Sequence, residues 1–326
     1  MRMKKEYIVL AVVIVGLVAY LVSRNRDRNL YDLPQIESVD TKAITRIELT
    51  RAGAAILFDK EGSDWKIFPE KYLADPQKVK EMLAVMEGLT LTELISESKN
   101  YQRYDLDVTD GIGLKCWSKD ALRFAFTIGK SAESNNHTFV KLPEDEAVYH
   151  ARGNFRNKFD MPKGEFREKT VLFFDKTDID AFEIRLDAGF ETFKRVDVMQ
   201  APAEPEEKDN TSVEDGVAVR KWVDAGGGDV DDDQINGLVS TLSDLKCEKY
   251  LEGKTKDDFS EPVYTIKLKG AGTYTLSIYA EMEIENESYF PAFSSESAYP
   301  FLMTKWRAEN IMKKPEDLHK NTGGGE

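Results

Sequence analysis

Cysteine and histidine are scarce in this 326-residue chain, which contains two cysteines and three histidines. A zinc site needs three or four ligands at suitable spacing, and His137, His150 and His319 have no cysteine or carboxylate at such a spacing. The sequence therefore predicts no metal site and no cofactor. Cys116 continues the apolar alternation of a predicted strand, which is typical of a small core residue. Whether it forms a disulfide with Cys247 stays open.

Catalytic motifs are also missing from the sequence. No Gly-x-Ser-x-Gly or His-Glu-x-x-His motif occurs, so neither a serine hydrolase nor a zinc protease is indicated. Gly129-Lys130-Ser131 imitates the end of a phosphate-binding loop, but Phe124 stands where such a loop needs its earlier glycine. We interpret this stretch as a turn, and we predict no catalytic residue.

One dense cluster of carboxylates remains, at Asp229 and residues 231–233, directly after three glycines. It resembles a calcium loop only superficially, because Gln234 and Ser240 occupy the positions of the required glycine and glutamate. The helix dipole explains carboxylates at a helix N-terminus without any ion. The cluster is therefore the sole basis for an alternative hypothesis, that of a cell-envelope hydrolase.

Positive charge is in deficit. The 59 acidic residues outnumber the 45 basic ones and give a formal net charge of −14. Such a chain is repelled by the phosphates of nucleic acids. We therefore expect no nucleic-acid partner.

Only one long stretch lacks charge altogether, residues 7–22. As a helix, these sixteen residues would span about 24 Å, against a hydrocarbon core of about 30 Å. The exit from the stretch lacks the small residues of a signal-peptidase site. The pattern predicts an uncleaved transmembrane anchor over residues 1–28, which would contact the lipid bilayer through residues 7–22.

Four side chains would adapt this anchor to the bilayer. Lys5 and Arg24 could reach outward to the two surfaces, and Tyr7 and Tyr20 could lie at the interfaces. The polar residues 29–40 that follow are predicted to form a stalk.

The rest of the chain is organised around a repeated segment. Asp75 and Asp231 are each predicted to cap a helix, and an apolar stripe with helical spacing follows each cap. Each position of the second segment lies 156 residues after its counterpart in the first. The two stripes are Val79, Met82, Leu83 and Met86, then Ile235, Leu238, Val239 and Leu242.

Alternating strands surround both predicted helices, and turn residues separate the strands. One helix on a mostly antiparallel sheet is typical of an α+β fold. We predict two tandem α+β repeats, over residues 41–165 and 166–320, after the transmembrane helix. The acidic insertion at residues 196–219 is predicted to be disordered, and residues 321–326 form a flexible tail.

An aromatic cluster near the end of the chain is the candidate contact surface for a partner. Aromatic residues at strand spacing also occur in cores, and this alternative stays open. The cluster consists of Tyr289, Phe290, Phe293, Tyr299 and Phe301.

Several short patterns together resemble a known family. They are a strand that ends in Ile128-Gly129, the Trp65-Lys66-Ile67 strand, the helix start at Ala74-Asp75, and Phe259-Ser260-Glu261-Pro262 before a strand. The chain resembles the bacterial membrane-anchored domain-of-unknown-function family that is encoded beside gliding-motility-type auxiliary ABC transporters. Asp105-Leu106 stands where that family has Gly-Leu.

This resemblance implies a location and a partner. The location is the bacterial cytoplasmic membrane, with the C-terminal domains outside the cytoplasm, and the partner is an ABC permease with its ATPase. It implies no catalytic residue. We therefore expect a non-catalytic, membrane-anchored extracytoplasmic accessory or adaptor subunit; the alternative is the hydrolase that would use residues 231–233.

Overall fold

The computed structural model describes residues 13–20, 32–186, 189–200 and 217–320. The chain divides between Glu168 and Lys169 into two compact units, which are called the first and the second unit below. Each unit is built on a nine-stranded sheet in which neighbouring strands are antiparallel.

The first unit has its strands in the order β4-β3-β2-β1-β6-β7-β8-β9-β5. One α-helix, α1 (Pro76–Glu87), stands between β4 and β5. Its strands are β1 (Arg46–Arg51), β2 (Ala54–Glu61), β3 (Asp64–Phe68), β4 (Tyr72–Leu73), β5 (Leu91–Ser96), β6 (Ile112–Ser118), β7 (Ala121–Ser131), β8 (His137–Lys141) and β9 (Val148–Arg152). Its 3₁₀ turns are Thr41–Ala43, Tyr101–Tyr104, Arg156–Lys158 and Lys163–Phe166.

The second unit has the order β13-β12-β11-β16-β17-β19-β20-β15, with β18 paired to β19. A separate two-stranded sheet joins β10 to β14. The strands are β10 (Thr170–Phe173), β11 (Ile179–Leu186), β12 (Gly189–Gln200), β13 (Val217–Asp224), β14 (Asp244–Lys246), β15 (Lys249–Tyr250), β16 (Tyr264–Gly270), β17 (Thr273–Ile278), β18 (Met282–Ile284), β19 (Glu287–Ser294) and β20 (Phe301–Thr304). The helices are α2 (Asp232–Leu242) and α3 (Lys305–Ile311), with 3₁₀ turns at Lys176–Asp178, Lys256–Asp258 and Pro315–Leu318.

The two sheets share one connectivity. In each sheet, consecutive strands form a meander and a helix follows them in the chain. A later strand then returns to pair with the first strand of the meander, as β6 does with β1 and β16 with β11. The strands β7, β8 and β9 of the first sheet correspond in this order to β17, β19 and β20 of the second.

Local signals explain where both main helices begin. The Asp75 carboxylate accepts hydrogen bonds from the N–H groups of Gln77 and Lys78, and Asp231 does the same for Asp233 and Gln234. These caps satisfy N–H groups that the first helical turn leaves without partners. Both predicted caps are confirmed.

The apolar stripes of these helices face the cores. Val79, Met82 and Met86 of α1 are buried, while Leu83 is partly buried against the same cluster. All four stripe residues of α2 are buried. Each helix therefore covers one face of its sheet through the stripe that the sequence predicted.

The predicted α+β class is wrong. Strands account for 44% of the described residues and helical residues for 22%, so this part of the protein is mostly β with large antiparallel sheets. The prediction gave too much weight to one helix per unit and missed short strands such as β5, β10 and β14. Those strands pair with distant segments, which a local pattern does not indicate.

The transmembrane helix in the predicted fold is also corrected. Among the residues that the structure describes, no helix is long and apolar enough to cross a membrane. Residues 13–20 are helical. The rest of the predicted span, with Tyr7, Lys5 and Arg24, lies outside the described residues, as does the predicted tail at residues 321–326.

The acidic insertion is shorter than its predicted bounds of residues 196–219. Residues 193–200 of β12 pair with residues 217–224 of β13 in continuous register. The intervening residues 201–216 lie outside the described part of the chain. Cys116 and Cys247 are both buried, and they lie in different units.

Candidate binding cleft

A cavity of about 750 Å³ opens in the first unit where β7 ends and β8 begins. We call it the β7–β8 cleft. It lies beside the 3₁₀ turn Tyr101–Tyr104 and also reaches β5 and β9. Its lining residues are Ile95, Arg103, Tyr104, Lys130, Ser131, Ala132, Glu133, Ser134, Phe139 and His150.

Gly129 allows the 3₁₀ turn to approach strand β7. A Cβ atom at this position would overlap the carbonyl oxygen of Tyr104 and would lie 2.9 Å from Cγ of Leu106. Tyr104 and Leu106 pack with Val148 in a small buried cluster. The absence of a side chain at Gly129 thus lets the turn settle on the strand, and Arg103 and Lys130 then line the same cavity.

The turn ends at Asp105, which has φ 53° and ψ 42°. This left-handed conformation costs most residues free energy but is open to glycine, and aspartate is among the residues that tolerate it. A glycine at this position would adopt the same backbone conformation at a lower cost.

Aromatic rings form one wall of the cleft. The ring centroid of Phe139 lies 4.9 Å from that of Tyr104 and 4.7 Å from that of His150. His150 is also stacked on His137, with a centroid distance of 5.2 Å and an angle of 20° between the planes. Phe139 and His150 are direct partners across β8 and β9, so the strand register fixes this wall.

His150 has an unusual electrostatic environment. Its Nδ1 atom lies 3.6 Å from a carboxylate oxygen of Glu93, and its Nε2 atom is buried with no hydrogen-bond partner among the described residues. Burial, and then the neighbouring His137, lower the pKa of the His150 imidazole, while Glu93 acts in the opposite direction. The neutral ring is therefore favoured.

Two cations at the cleft have no counter-ion among the described residues. Arg103 and Lys130 are both exposed, and neither has an ion pair or side-chain hydrogen bond within the part of the chain that the structure describes. One carboxylate, that of Glu133, also lines the cavity. The hydroxyl of Ser131 donates to Asn154 at 2.6 Å.

A second cavity of the first unit offers a contrast. It measures about 520 Å³ and is lined by apolar residues together with Arg51 and Lys163. Both of these cations are already paired, Arg51 with Asp160 and Lys163 with Glu70. Of these two cavities, the β7–β8 cleft is the one whose positive side chains are available to a ligand.

Comparison with known families gives one result. The family described as "Domain of unknown function (DUF4340)" matches residues 65–263. The chain belongs to this family. The match begins in β3 and ends just before β16, so it includes the whole β7–β8 cleft and both main helices. No curated protein and no solved structure shows significant similarity to this DUF4340 chain.

The aromatic cluster that was predicted to contact a partner lies largely inside the second unit of the DUF4340 chain. Tyr289, Phe290 and Phe301 are buried, Phe293 is half-buried, and only Tyr299 is exposed. Strands β19 and β20 pack against α3, which covers the rings that alternate toward it. Tyr289, Phe290 and Phe301 are therefore core residues that are not available to another protein, and a partner contact through Phe293 and Tyr299 stays a prediction.

Of the four residues predicted to adapt an anchor, only Tyr20 is described. It is exposed at the end of helical residues 13–20. Tyr7, Lys5 and Arg24 lie outside the described residues, so their predicted roles remain predictions.

The acidic residues 231–233 have structural partners. Asp231 caps α2, and the carboxylate of Asp232 accepts a hydrogen bond from the backbone N–H of Trp222 at 2.8 Å. Asp229 forms an ion pair with Lys221 at 2.7 Å. No group of three or more His, Cys, Asp or Glu residues that could hold a metal ion occurs in the described ranges.

The cleft itself was missed at the sequence level. Gly129-Lys130-Ser131 lies at the end of β7, where Lys130 and Ser131 line the cavity. The stretch that was interpreted as a turn is therefore the end of strand β7, which forms one side of the cleft. The signal that could have indicated it was this tripeptide together with the two histidines of adjacent strands.

Proposed function

We propose that this DUF4340 protein is a non-catalytic accessory subunit of an ABC transporter complex. Its two units would lie outside the cytoplasm, and the first unit would bind a ligand in the β7–β8 cleft. The observation that carries the binding role is the pair of unpaired cations, Arg103 and Lys130, at the edge of a cavity with a fixed aromatic wall. The resemblance to transporter-associated proteins supports the choice of partner.

Binding is the chemistry that this geometry favours. Ligand sites are usually preformed cavities with an apolar lining and a few convergent polar groups. The wall of Phe139 and His150 is held by strand pairing, so little conformational entropy is lost when a ligand enters. In a chain with a net charge of −14, two exposed cations without counter-ions form a local site for negative charge.

Co-purification tests the transporter assignment. The full chain, tagged at its C-terminus and expressed at its natural level, is captured from membranes in a mild detergent. We expect the permease and the ATPase to be recovered with it in comparable amounts, and to be lost when the tag is placed on an unrelated envelope protein. Recovery of the tagged chain alone, while the permease remains in the same extract, would contradict the proposal.

Thiol labelling tests the location. Lys80 is exposed on α1, whereas Cys116 and Cys247 are buried, so Lys80→Cys provides one reactive thiol against a low background. We expect a membrane-impermeant maleimide to label this variant in intact spheroplasts. Labelling only after the cells are permeabilised would place the first unit in the cytoplasm and would refute this part of the proposal.

A further inference from the structure

We propose that the β7–β8 cleft binds the phosphate group of a small phosphorylated molecule, with Arg103 and Lys130 as its anion-binding residues. This inference rests on the proposed role of the cleft as a binding site and names the class of its ligand. The body of the ligand would pack against Phe139 and Ile95.

The charge of the cleft favours phosphate over a carboxylate. Arg103 and Lys130 supply two positive charges against the one negative charge of Glu133, and a phosphate monoester, which carries about −1.5 to −2 at neutral pH, is attracted more strongly by each of the two cations than a singly charged anion is. A carboxylate carries only one negative charge. The planar guanidinium of arginine can donate two parallel hydrogen bonds to phosphate oxygens, and lysine binds phosphate as a point charge.

The hydroxyl of Ser134 is a further donor at the cleft. Its oxygen accepts a hydrogen bond from the N–H of Asn136 at 3.4 Å, so its proton is free to point toward a ligand. Arg103, Lys130 and Ser134 thus give the lining of the cavity three different donor groups, and several donors suit the several acceptor oxygens of a phosphate.

The size and lining of the cavity indicate that the phosphate is attached to a larger group. A volume of about 750 Å³ falls in the range of sites for small organic molecules, about 300–1,000 Å³, and greatly exceeds that of an inorganic anion. Ile95 and the ring of Phe139 line the remaining part. An aromatic or similarly flat body can pack against that ring at the distances typical of aromatic pairs.

Glu133 provides an internal test, because its carboxylate lines the same cavity and must oppose an anion. Removing this charge with Glu133→Gln should strengthen phosphate binding, whereas Arg103→Gln and Lys130→Gln should weaken it. Lys80→Gln removes an exposed cation of the same unit outside the cleft and serves as the matched control.

Histidine NMR on the full chain reads the site directly. The three histidines are divided between the units, with His137 and His150 at or beside the cleft wall and His319 in the second unit. Selective ¹⁵N labelling of imidazoles follows each of them during titration with phenyl phosphate, inorganic phosphate or benzoate.

We expect phenyl phosphate to shift the His150 signal in a saturable manner, because a bound anion raises the pKa of a nearby imidazole, and to leave His319 unchanged. Inorganic phosphate should bind more weakly, and benzoate weakest of the three. Arg103→Gln should weaken binding by about tenfold or more, the value of a charge-assisted hydrogen bond. Lys80→Gln should have no effect.

Three outcomes would overturn the inference. They are a His150 signal that does not shift, parallel shifts of His150 and His319, and binding that Arg103→Gln and Lys130→Gln leave intact. Vesicles that contain phosphatidate should displace phenyl phosphate only if the natural phosphate is a lipid headgroup. None of these three outcomes would affect co-purification with the permease, so they would refute only the phosphate inference. Loss of co-purification with intact phosphate binding would refute only the transporter assignment.

Discussion

Replacing Trp222 by alanine should remove a central support of the second unit. The indole is 1% exposed and packs edge-on against Phe182 with a centroid distance of 5.3 Å. Its Nε1–H donates to the side-chain oxygen of Asn236 at 3.0 Å, which ties β13 to α2. The guanidinium of Arg195 covers the ring at 4.7 Å from its centroid.

The expected loss of unfolding free energy follows from these contacts. Truncation of a buried tryptophan to alanine costs about 3–5 kcal/mol, and the lost hydrogen bond adds about 1 kcal/mol. Arg195 still reaches the oxygen of Asn236 at 3.5 Å, so the hydrogen-bond contribution lies at the low end. We expect a total of about 4–5 kcal/mol for Trp222→Ala, and about 1–2 kcal/mol for Trp222→Phe, which keeps most of the buried area.

Urea unfolding measures these free energies, with the imidazole signal of His319 as the probe of the second unit. Trp306 is the matched control, because it lies in the same unit but is 73% exposed. Trp306→Ala should change stability by less than about 0.5 kcal/mol. If Trp222→Ala costs no more than Trp222→Phe, the ring does not support the core, and the reasoning fails.

Three further predictions concern single groups. Hydrogen bonds from the Tyr149 hydroxyl, and then from the N–H of Ala147, lower the pKa of the Asp145 carboxyl. The ionised carboxyl therefore stabilises the folded state fully above about pH 4, the pKa of an unfolded aspartate. This stabilisation is lost as the pH falls through the lower pKa of the folded state. Tyr149→Phe should lower the free energy of unfolding by about 1 kcal/mol at pH 7. Urea unfolding at several pH values should show that this difference from wild type disappears in acid. A difference that stays constant with pH would argue against a role of the Asp145 carboxylate. Asp105→Gly should raise the stability of the first unit by about 0.5–1 kcal/mol by relieving the left-handed backbone, and a fall in melting temperature would contradict it. Burial raises the pKa of the Cys116 thiol to about 11, so mass spectrometry should find it unmodified by iodoacetamide at pH 8 in the native chain and modified in urea; rapid native alkylation would contradict its burial.

Local features of the fold were predictable because they depend on neighbouring residues. The caps at Asp75 and Asp231 and the apolar stripes behind them are written in segments of about ten residues. The alternation of apolar residues in strands such as β6 and β16 is likewise a property of each segment by itself. Such elements can be predicted without knowing which other segments they pack against.

Features that depend on distant partners were not predictable. Strand β5 exists because it pairs with β9, from Leu91 opposite Ala151 to Ser96 opposite Val148, and its own sequence does not indicate that partner. Spacing assigned the aromatic residues of β19 and β20 to strand faces, but it could not show that Tyr289, Phe290 and Phe301 are buried. The helix-to-strand balance, and with it the fold class, was misjudged for the same reason.

The cleft was unpredictable because its parts are scattered. Arg103 comes from a 3₁₀ turn, Lys130 from the end of one strand, and Phe139 and His150 from two others. No local sequence pattern marks any of these residues as part of a site. Only the close approach of the turn to Gly129 makes them neighbours, and such a contact between non-local segments leaves no periodic signal in the sequence.

The shared connectivity of the sheets also identifies a place where the chain can be lengthened. The β2–β3 hairpin turns at Gly62, where even an added Cβ would meet no atom within 4 Å. The corresponding β12–β13 connection of the second unit has sixteen residues, 201–216, between its paired strands, where the β2–β3 connection has two. Because the entropic cost of closing a loop rises by only about 0.6 kcal/mol for each doubling of its length, a fluorescent reporter domain inserted between Gly62 and Ser63 should leave the first sheet intact. The position would allow the protein to be followed in living cells with both termini unmodified.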